Sequence, residues 1–192
     1  MDLIKINLPS TIEVEGIFYD INTDFRAWLK FDRLLKNEEI NEIEFKGFFL
    51  NDIPPFTEAA LKELINFYNP PAELPRKMGG SSEPVIDYYY DGDLIYSAFY
   101  EVYQIDLLAT DKHGRAIPLH WHKFLALLNG LHNTRLNDIM SYRAFNPNDK
   151  TDYKKQYEQL KNAWRIPTKE TKATKAQREK FNALFEKPTD SK

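Results

Sequence analysis

The sequence contains no cysteine. This absence excludes disulfide bonds, cysteine-ligated zinc, iron–sulfur clusters and thiol nucleophiles. No apolar run approaches the roughly 18 residues that a membrane-spanning helix requires, and the N-terminus, MDLIKINLPS, lacks the apolar stretch of a signal peptide. We therefore expect a protein of the cytoplasm that does not contact a membrane.

Aromatic residues, in contrast, are abundant, with 13 Phe, 11 Tyr and 3 Trp. Hydrophobic residues make up 42% of the chain and charged residues 29%, a balance that is typical of a folded soluble protein and too apolar for a disordered one. A chain of 192 residues can bury a substantial core within one domain. We expect aromatic packing to dominate that core.

The formal net charge of −3 conceals two regions of opposite sign. Residues 150–192 contain 12 Lys and Arg but 6 Asp and Glu, a balance of +6, whereas residues 1–149 contain 14 and 23, a balance of −9. A basic tail can indicate nucleic-acid binding, but an acidic body argues against a broad nucleic-acid face. We interpret residues 168–192 as a basic tail that is disordered or is ordered only by a partner.

The hydrophobic pattern predicts a mainly α fold, a helical domain of about six to seven helices over residues 1–167 with a short N-terminal β-hairpin. Alternation over residues 8–21 predicts the hairpin, with a tight turn at Glu15-Gly16, and residues 69–84 are rich in Pro, Gly and Ser, which predicts a flexible loop. Thr23, Thr57 and Thr134 are the candidate helix caps. The predicted helices cover residues 23–37, 38–49, 57–68, 91–103, 118–131, 134–145 and 149–164, with a last short one near 181–185.

Two histidines, His120 and His122, stand two positions apart in the sequence IPLHWHKFLALLNGL. On a helix that begins at Pro118 their rings would point to nearly opposite sides, since helical residues share a face at spacings of three or four. We therefore expect a packed helix rather than a metal site. A metal-dependent hydrolase that also uses His113 and His132 is an alternative.

Three carboxylates, Asp87, Asp91 and Asp93, follow a D-x-x-x-D-x-D spacing that in a loop could collect a divalent cation. The sequence lacks the twelve-residue frame and the other oxygen ligands of an EF-hand, so capping of a helix N-terminus by Asp91 and Asp93 is the preferred interpretation. No G-x-S-x-G motif is present. We expect no catalytic residue, no metal ion and no cofactor.

Two surface features invite a binding interpretation. Arg26, Lys30 and Arg33 share one side of the predicted 23–37 helix and form the best basic patch of the body, although such a stripe is more often solvated surface. Tyr88, Tyr89 and Tyr90 could stack on bases or on a partner. They could equally line the rim of the core with their hydroxyls in water.

The predicted 91–103 helix is apolar around most of its circumference, with a narrow polar strip at Ser97, Glu101 and Gln104. Such a helix lies at the centre of a core or in an interface. Aromatic residues on this helix and on the 23–37 helix are therefore the candidates for contact with a partner. They are Trp28, Phe31, Tyr96, Phe99, Tyr100 and Tyr103.

Several motifs together resemble the bacteriophage gene-product-fifteen family, which occurs among the tail genes of long-tailed phages and prophages of Gram-positive bacteria. They are V-x-G-x-x-Y-x-I-x-T-D-F-R-x-W at residues 14–28, D-x-D-L-I-Y-x-A-F at 91–99, L-H-W-x-K-F at 119–124 and I-M-x-Y-R at 139–143. The family's motif usually has Trp where this chain has His122. The resemblance implies that His122 replaces an aromatic side chain.

The resemblance also implies a function without catalysis in tail morphogenesis. It implies a tail assembly chaperone that binds the tape-measure protein during tail assembly, with self-association into a homo-oligomer. Such a protein is expected in the cytoplasm of the bacterial host and not in the mature virion. The alternative is a nucleic-acid-binding phage protein that uses the basic C-terminal tail and the tyrosine cluster.

Overall fold

Seven helices and one β-hairpin make up the part of the chain that the computed structural model describes, residues 7–70, 84–148 and 151–167. This architecture confirms the predicted mainly α fold with an N-terminal hairpin. Most of the loop predicted over residues 69–84, namely residues 71–83, lies outside the described residues. The predicted basic tail and the predicted last helix, both after residue 167, lie outside them as well. In chain order the elements are β1 (Thr11–Val14), β2 (Ile17–Asp20), α1 (Phe25–Asn37), α2 (Glu42–Lys46), α3 (Glu58–Tyr68), α4 (Gly92–Tyr103), α5 (Trp121–Gly130), α6 (Arg135–Ala144) and α7 (Lys154–Ala163).

The β-hairpin has the predicted two-residue turn. Glu15 and Gly16 both adopt positive φ angles, 53° and 83°, as a type I′ turn between twisted strands requires. Ile12 and Val14 of β1 are buried, whereas Ile17 of β2 is exposed. The hairpin thus contributes one apolar edge to the core.

The start of α1 is tied to the start of α5. Asp24, rather than the predicted Thr23, caps α1, because its carboxylate accepts the backbone N–H of Arg26 at 3.0 Å. The Thr23 carbonyl instead accepts the N–H of Trp121 at 2.7 Å, and the Leu119 carbonyl accepts the N–H of Phe25 at 2.8 Å. The predicted cap was one residue early because the backbone of Thr23 serves a tertiary contact.

The predicted helix over residues 38–49 was wrong in length. Glu38 adopts a left-handed φ of 57° and ends α1, and Asn41 then caps α2 by accepting the N–H groups of Ile43 and Glu44. Because Asn competes for backbone hydrogen bonds, it favours a helix start over a helix interior. Only one turn and a half, Glu42–Lys46, is helical.

The remaining helices follow the prediction with corrections at their starts. Thr57 and Thr134 cap α3 and α6 as predicted, the latter through a reciprocal capping box with Asn137. Helix α5 begins at Trp121 with His120 as its cap, so the predicted start at Pro118 was too early. Helix α7 begins at Lys154 rather than at 149.

Aromatic stacking joins α1, α4 and α5 at the centre of the core. Phe124 of α5 stacks with Phe25 of α1 at 4.8 Å between ring centroids, with Phe99 of α4 at 5.1 Å and with Trp121 at 5.6 Å. Offset stacking of this kind adds stability beyond the burial of apolar area. This cluster is the main contact among the three helices.

A buried ion pair joins α4, α6 and the end of α7. Arg143 forms two hydrogen bonds with the Asp91 carboxylate, at 2.6 and 2.9 Å, and both residues are buried. The guanidinium also donates to the Val85 carbonyl at 3.0 Å and to the Trp164 carbonyl at 2.6 Å. Asp91 is the N-cap residue of α4 as predicted, and Asp93 lies in the first turn, but the Asp91 side chain makes no cap hydrogen bond and binds Arg143 instead.

Within the ranges that the structure describes, no helix has both the length and the apolar content to cross a bilayer.

We predict that breaking the buried ion pair destabilises the fold strongly. Arg143→Met leaves the Asp91 charge buried without a partner, which typically costs about 3–5 kcal/mol. Urea unfolding followed by circular dichroism measures the loss. The double variant Asp91→Leu with Arg143→Met should lose less than the sum of the two single variants, and a single-variant loss below about 1 kcal/mol would contradict the structural role of the pair.

Candidate partner-binding surface

Three of the six predicted contact residues are not available for a partner. Trp28, Phe31 and Phe99 are 0% exposed. The Trp28 ring lies 4.5 Å from that of Phe67, and Phe31 packs edge-on against Phe48 at 5.1 Å. Their assignment to a partner surface was wrong, because the apolar faces of α1 and α4 are covered from within the same chain.

The other three residues differ in their accessibility. The Tyr103 hydroxyl donates to the Leu127 carbonyl at 2.9 Å, so this half-buried ring links α4 to α5. Tyr96 and Tyr100 stack with their ring centroids 6.3 Å apart, and Tyr100 is 51% exposed. The accessible part of the predicted surface is therefore the Tyr96–Tyr100 pair on α4.

A groove of about 850 Å³ lies beside α1. We call it the basic groove. One wall is α1, the second is the 84–90 segment, and the third is formed by Arg143 and the end of α7 with the residues after it. Its charged lining residues are Lys30, Arg33, Lys36, Arg143, Lys161 and Arg165, opposed by Asp32 and Asp87.

Lys36 organises the floor of the basic groove. Its ammonium group lies 2.8 Å from Asp32 and 2.9 Å from Asp87. Desolvation opposes the charge of Lys36, but the hydrogen bonds with both carboxylates outweigh it and raise the pKa of the amine. Burial also disfavours the charge of Asp87, yet Lys36 and the backbone N–H of Tyr90 hold the pKa of this carboxyl below its usual value.

Tyr68 extends this network toward the core. Its hydroxyl donates to Asp32 at 2.5 Å. Burial, together with the adjacent carboxylate of Asp32, raises the pKa of the hydroxyl. Tyr68 therefore stays protonated, and Lys36, Asp32 and Asp87 form a hydrogen-bonded network of one cation and two carboxylates.

Arg33 differs from the other cations of the groove. Lys30 forms a salt bridge with Glu44, and Arg143 is neutralised by Asp91. Arg33 is exposed and lies over the ring of Tyr89, with its guanidinium carbon 5.3 Å from the ring centroid. No carboxylate of the described residues lies within salt-bridge distance of Arg33.

The three residues of the predicted basic stripe, Arg26, Lys30 and Arg33, lie in two different environments. The Arg26 guanidinium bonds to Asp24 and to the carbonyls of Leu107 and Ile117, which anchors the segment before α5 to α1. Lys30 and Arg33 line the basic groove instead. The stripe is thus a tertiary contact at one end and part of the groove lining at the other.

The three tyrosines are also divided. Tyr88 packs edge-on against Trp121 at 5.9 Å, whereas Tyr89 is 70% and Tyr90 is 50% exposed. Tyr88 therefore belongs to the rim of the core, as one of the two interpretations had it. Tyr89 and Tyr90 present accessible rings in the wall of the basic groove.

His120 and His122 lie close together, contrary to the prediction. His120 has extended backbone angles as the cap of α5, so its ring is not set by helical geometry. Its Nδ1 accepts the backbone N–H of His122 at 3.0 Å, and the two ring centroids are 5.2 Å apart. The helical wheel failed because His120 lies before the first turn and not within it.

Each histidine ring is held by a backbone carbonyl. His120 Nε2 lies 2.9 Å from the Pro9 carbonyl, and His122 Nε2 lies 2.9 Å from that of Phe67. Because a carbonyl only accepts, both Nε2 atoms carry the proton. Burial lowers the pKa of both imidazoles. The His122 ring also stacks on Phe67 at 4.4 Å, the contact of an aromatic residue.

In the described ranges, no group of three or more His, Asp or Glu side chains is arranged to hold a metal ion. Of the candidate carboxylates, Asp91 is bound to Arg143 and Asp87 to Lys36, while Asp93 is exposed. The Asp87, Asp91 and Asp93 spacing therefore reflects two ion pairs rather than a loop with free oxygens.

The family-like motifs contact one another in the fold. The Asp24 carboxylate of the first motif accepts the N–H of Leu119 in the third at 3.2 Å. Asp91 of the second motif pairs with Arg143 of the fourth. The residues that carry the resemblance thus join the start of α1 to the start of α5, and the start of α4 to α6.

Comparison with known protein families agrees with these motifs. A family model described as Bacteriophage Gp15 protein matches residues 4–166. The chain therefore belongs to this family, and it is a bacteriophage structural or morphogenesis protein. No curated protein and no solved structure matches it.

We predict that the fold loses stability as the pH falls from about 7.5 to about 5.5. Because the pKa values of His120 and His122 lie below the ordinary value of 6.5, the unfolded chain binds more protons in this range. The free energy of unfolding then decreases as the pH decreases. Urea unfolding at a series of pH values measures the slope.

Replacement of both histidines tests the origin of this slope. His120→Asn keeps a cap acceptor that cannot titrate, and His122→Gln keeps a donor for the Phe67 carbonyl. The double variant should show a flatter pH dependence. A double variant of the exposed residues, His113→Asn with His132→Asn, is the matched control and should keep the wild-type slope. Equal slopes for the two double variants would contradict the assignment.

Proposed function

We propose that this protein is a tail assembly chaperone that binds the tape-measure protein while the phage tail is assembled. It acts without catalysis, as a homo-oligomer, in the cytoplasm of the bacterial host, and it is absent from the mature virion. Its partners are the tape-measure protein and other tail proteins rather than nucleic acid.

The family match over residues 4–166 is the observation that supports this proposal most. It assigns the chain to a bacteriophage family, and the resemblance implies a place among tail genes near the gene for the tape-measure protein. A chaperone for a long helical client needs accessible aromatic surface to contact apolar residues that are not yet covered. The Tyr96–Tyr100 pair and the exposed rings of Tyr89 and Tyr90 offer such a surface.

We predict that co-expression with the tape-measure protein of the same phage keeps that protein soluble and yields a complex in a pull-down. Light scattering should give the protein alone a mass above that of a monomer. A monomeric protein that leaves the tape-measure protein insoluble would count against both parts of the proposal.

The Tyr96–Tyr100 pair provides a residue-level test. Tyr96→Ser with Tyr100→Ser should reduce the recovery of the tape-measure protein severalfold, because two stacked aromatic rings typically contribute about 1 kcal/mol or more to a contact. Tyr153→Ser is the control, since Tyr153 is 65% exposed on a different helix. Equal recovery with the tyrosine pair variant and the control would exclude this pair from the contact. Circular dichroism checks that both variants fold.

A nucleic-acid-binding function is the second candidate, favoured by the exposed rings of Tyr89 and Tyr90 beside Arg33. Aromatic stacking combined with cations is how many proteins hold single strands. Binding of this kind must weaken steeply with salt. A mobility-shift experiment at low salt that shows no complex with single- or double-stranded DNA would remove this candidate.

A further inference from the structure

We propose that the basic groove binds an acidic, partly apolar segment of a protein partner. The inference deepens the proposed function and rests on it, since it identifies the surface and the chemistry through which the client is held. The residues that carry it are Arg33, Tyr89 and Tyr90, with Lys161 and Arg165 on the facing wall.

The lining of the basic groove has an excess of positive charge. The groove is lined by six basic and two acidic side chains. Two of the cations, Lys30 and Arg143, pair with Glu44 and Asp91 outside the lining, so six cations face four carboxylates, a balance of +2. Residues 1–149 as a whole carry a balance of −9. A positive concavity on a negative body concentrates its field locally and attracts an anionic group to one place. Arg33 is exposed, and no carboxylate of the described residues lies within salt-bridge distance of it. A carboxylate of the ligand would supply an ion-pair partner.

The basic groove also has an apolar part in its lining. Leu29 and Ile166 contribute aliphatic surface, and the exposed rings of Tyr89 and Tyr90 form part of the wall. A purely ionic ligand would leave this surface uncovered, whereas a segment with both carboxylates and apolar side chains covers it. Tyrosine beside arginine is a combination that is enriched where proteins bind proteins.

The groove is also fixed in shape. One guanidinium, that of Arg143, donates to the Val85 carbonyl of one wall and to the Trp164 carbonyl at the end of α7. Asp91 holds that guanidinium with two charge-assisted hydrogen bonds. A site that is formed before the ligand arrives loses less entropy on binding than a mobile one.

Charge excludes the chain's own tail as the preferred occupant. Residues 168–192 contain 7 Lys and Arg against 4 Asp and Glu, so the tail and the groove have the same sign of charge. Like charges brought together oppose binding.

A nucleic acid fits less well than an acidic protein segment. An extended polyanion would continue past the groove onto the acidic body, within the Debye length of about 8 Å at physiological salt. A short acidic segment is confined to the groove and avoids this repulsion. The groove therefore favours protein carboxylates over a run of phosphates.

Fluorescence anisotropy with the full-length chain tests the inference. The probe is a labelled helical peptide of Glu and Leu, compared with the same peptide carrying Gln for Glu and with oligothymidylate. The acidic peptide should bind, and the Gln peptide should bind much more weakly. Arg33→Glu should weaken binding of the acidic peptide about tenfold, because it replaces an attraction with a repulsion.

Lys62→Glu is the matched control, since it makes the same charge change at an exposed position of α3 outside the groove. It should change the affinity by less than about twofold at physiological salt. Equal losses for Arg33→Glu and Lys62→Glu would overturn the inference. So would tighter binding of oligothymidylate or of the Gln peptide than of the acidic peptide.

Co-expression of Arg33→Glu with the tape-measure protein separates this inference from the proposed function. If wild type and Arg33→Glu solubilise the tape-measure protein equally, the groove inference fails and the chaperone proposal stands. If neither does, but Arg33→Glu still weakens peptide binding, the chaperone proposal fails and the groove remains a site for acidic segments.

Discussion

The structure depends on one buried arginine. Arg143 satisfies Asp91, the Val85 carbonyl and the Trp164 carbonyl at once, and these groups come from two separate parts of the chain, the segment before α4 and the end of α7. A buried guanidinium is tolerated only when most of its donors have acceptors. The geometry of the donors therefore dictates where the N-terminus of α4 and the C-terminus of α7 must lie. Because both border the basic groove, the same constraint that stabilises the fold also fixes the candidate binding surface.

The aromatic core and the exposed tyrosines of the basic groove are connected through Tyr88. Phe124 stacks with rings from α1 and α4 and with Trp121. Tyr88 packs edge-on against Trp121. The next two residues along the chain, Tyr89 and Tyr90, are the exposed rings of the groove wall. The aromatic residues therefore have two roles. Rings such as Phe124 pack the core of a chain that has no cysteine, whereas Tyr89 and Tyr90 remain accessible.

Hydrophobic periodicity was sufficient to predict the fold class, the hairpin turn and most helices, because those depend on local patterns such as Glu15-Gly16 and the Thr57 and Thr134 caps. The site was less predictable. Periodicity identified which residues are apolar, but not that α1 and α4 would be covered by their own chain, so Trp28, Phe31 and Phe99 were misassigned. The ion pair of Asp91 with Arg143 joins residues 52 positions apart. The only signal for it was the presence of both residues in family-like motifs, and a single sequence cannot pair them.

The shared arginine has a mechanical consequence. Force that pulls on the chain beyond Trp164 is transmitted through the Arg143 guanidinium directly into α4, because the Trp164 carbonyl and the Asp91 carboxylate are held by the same group. Unfolding from that end would then begin by breaking the hydrogen bond from Arg143 Nε to the Trp164 carbonyl. While this bond is intact, the C-terminal end of α7 is anchored to the buried ion pair and resists gradual fraying.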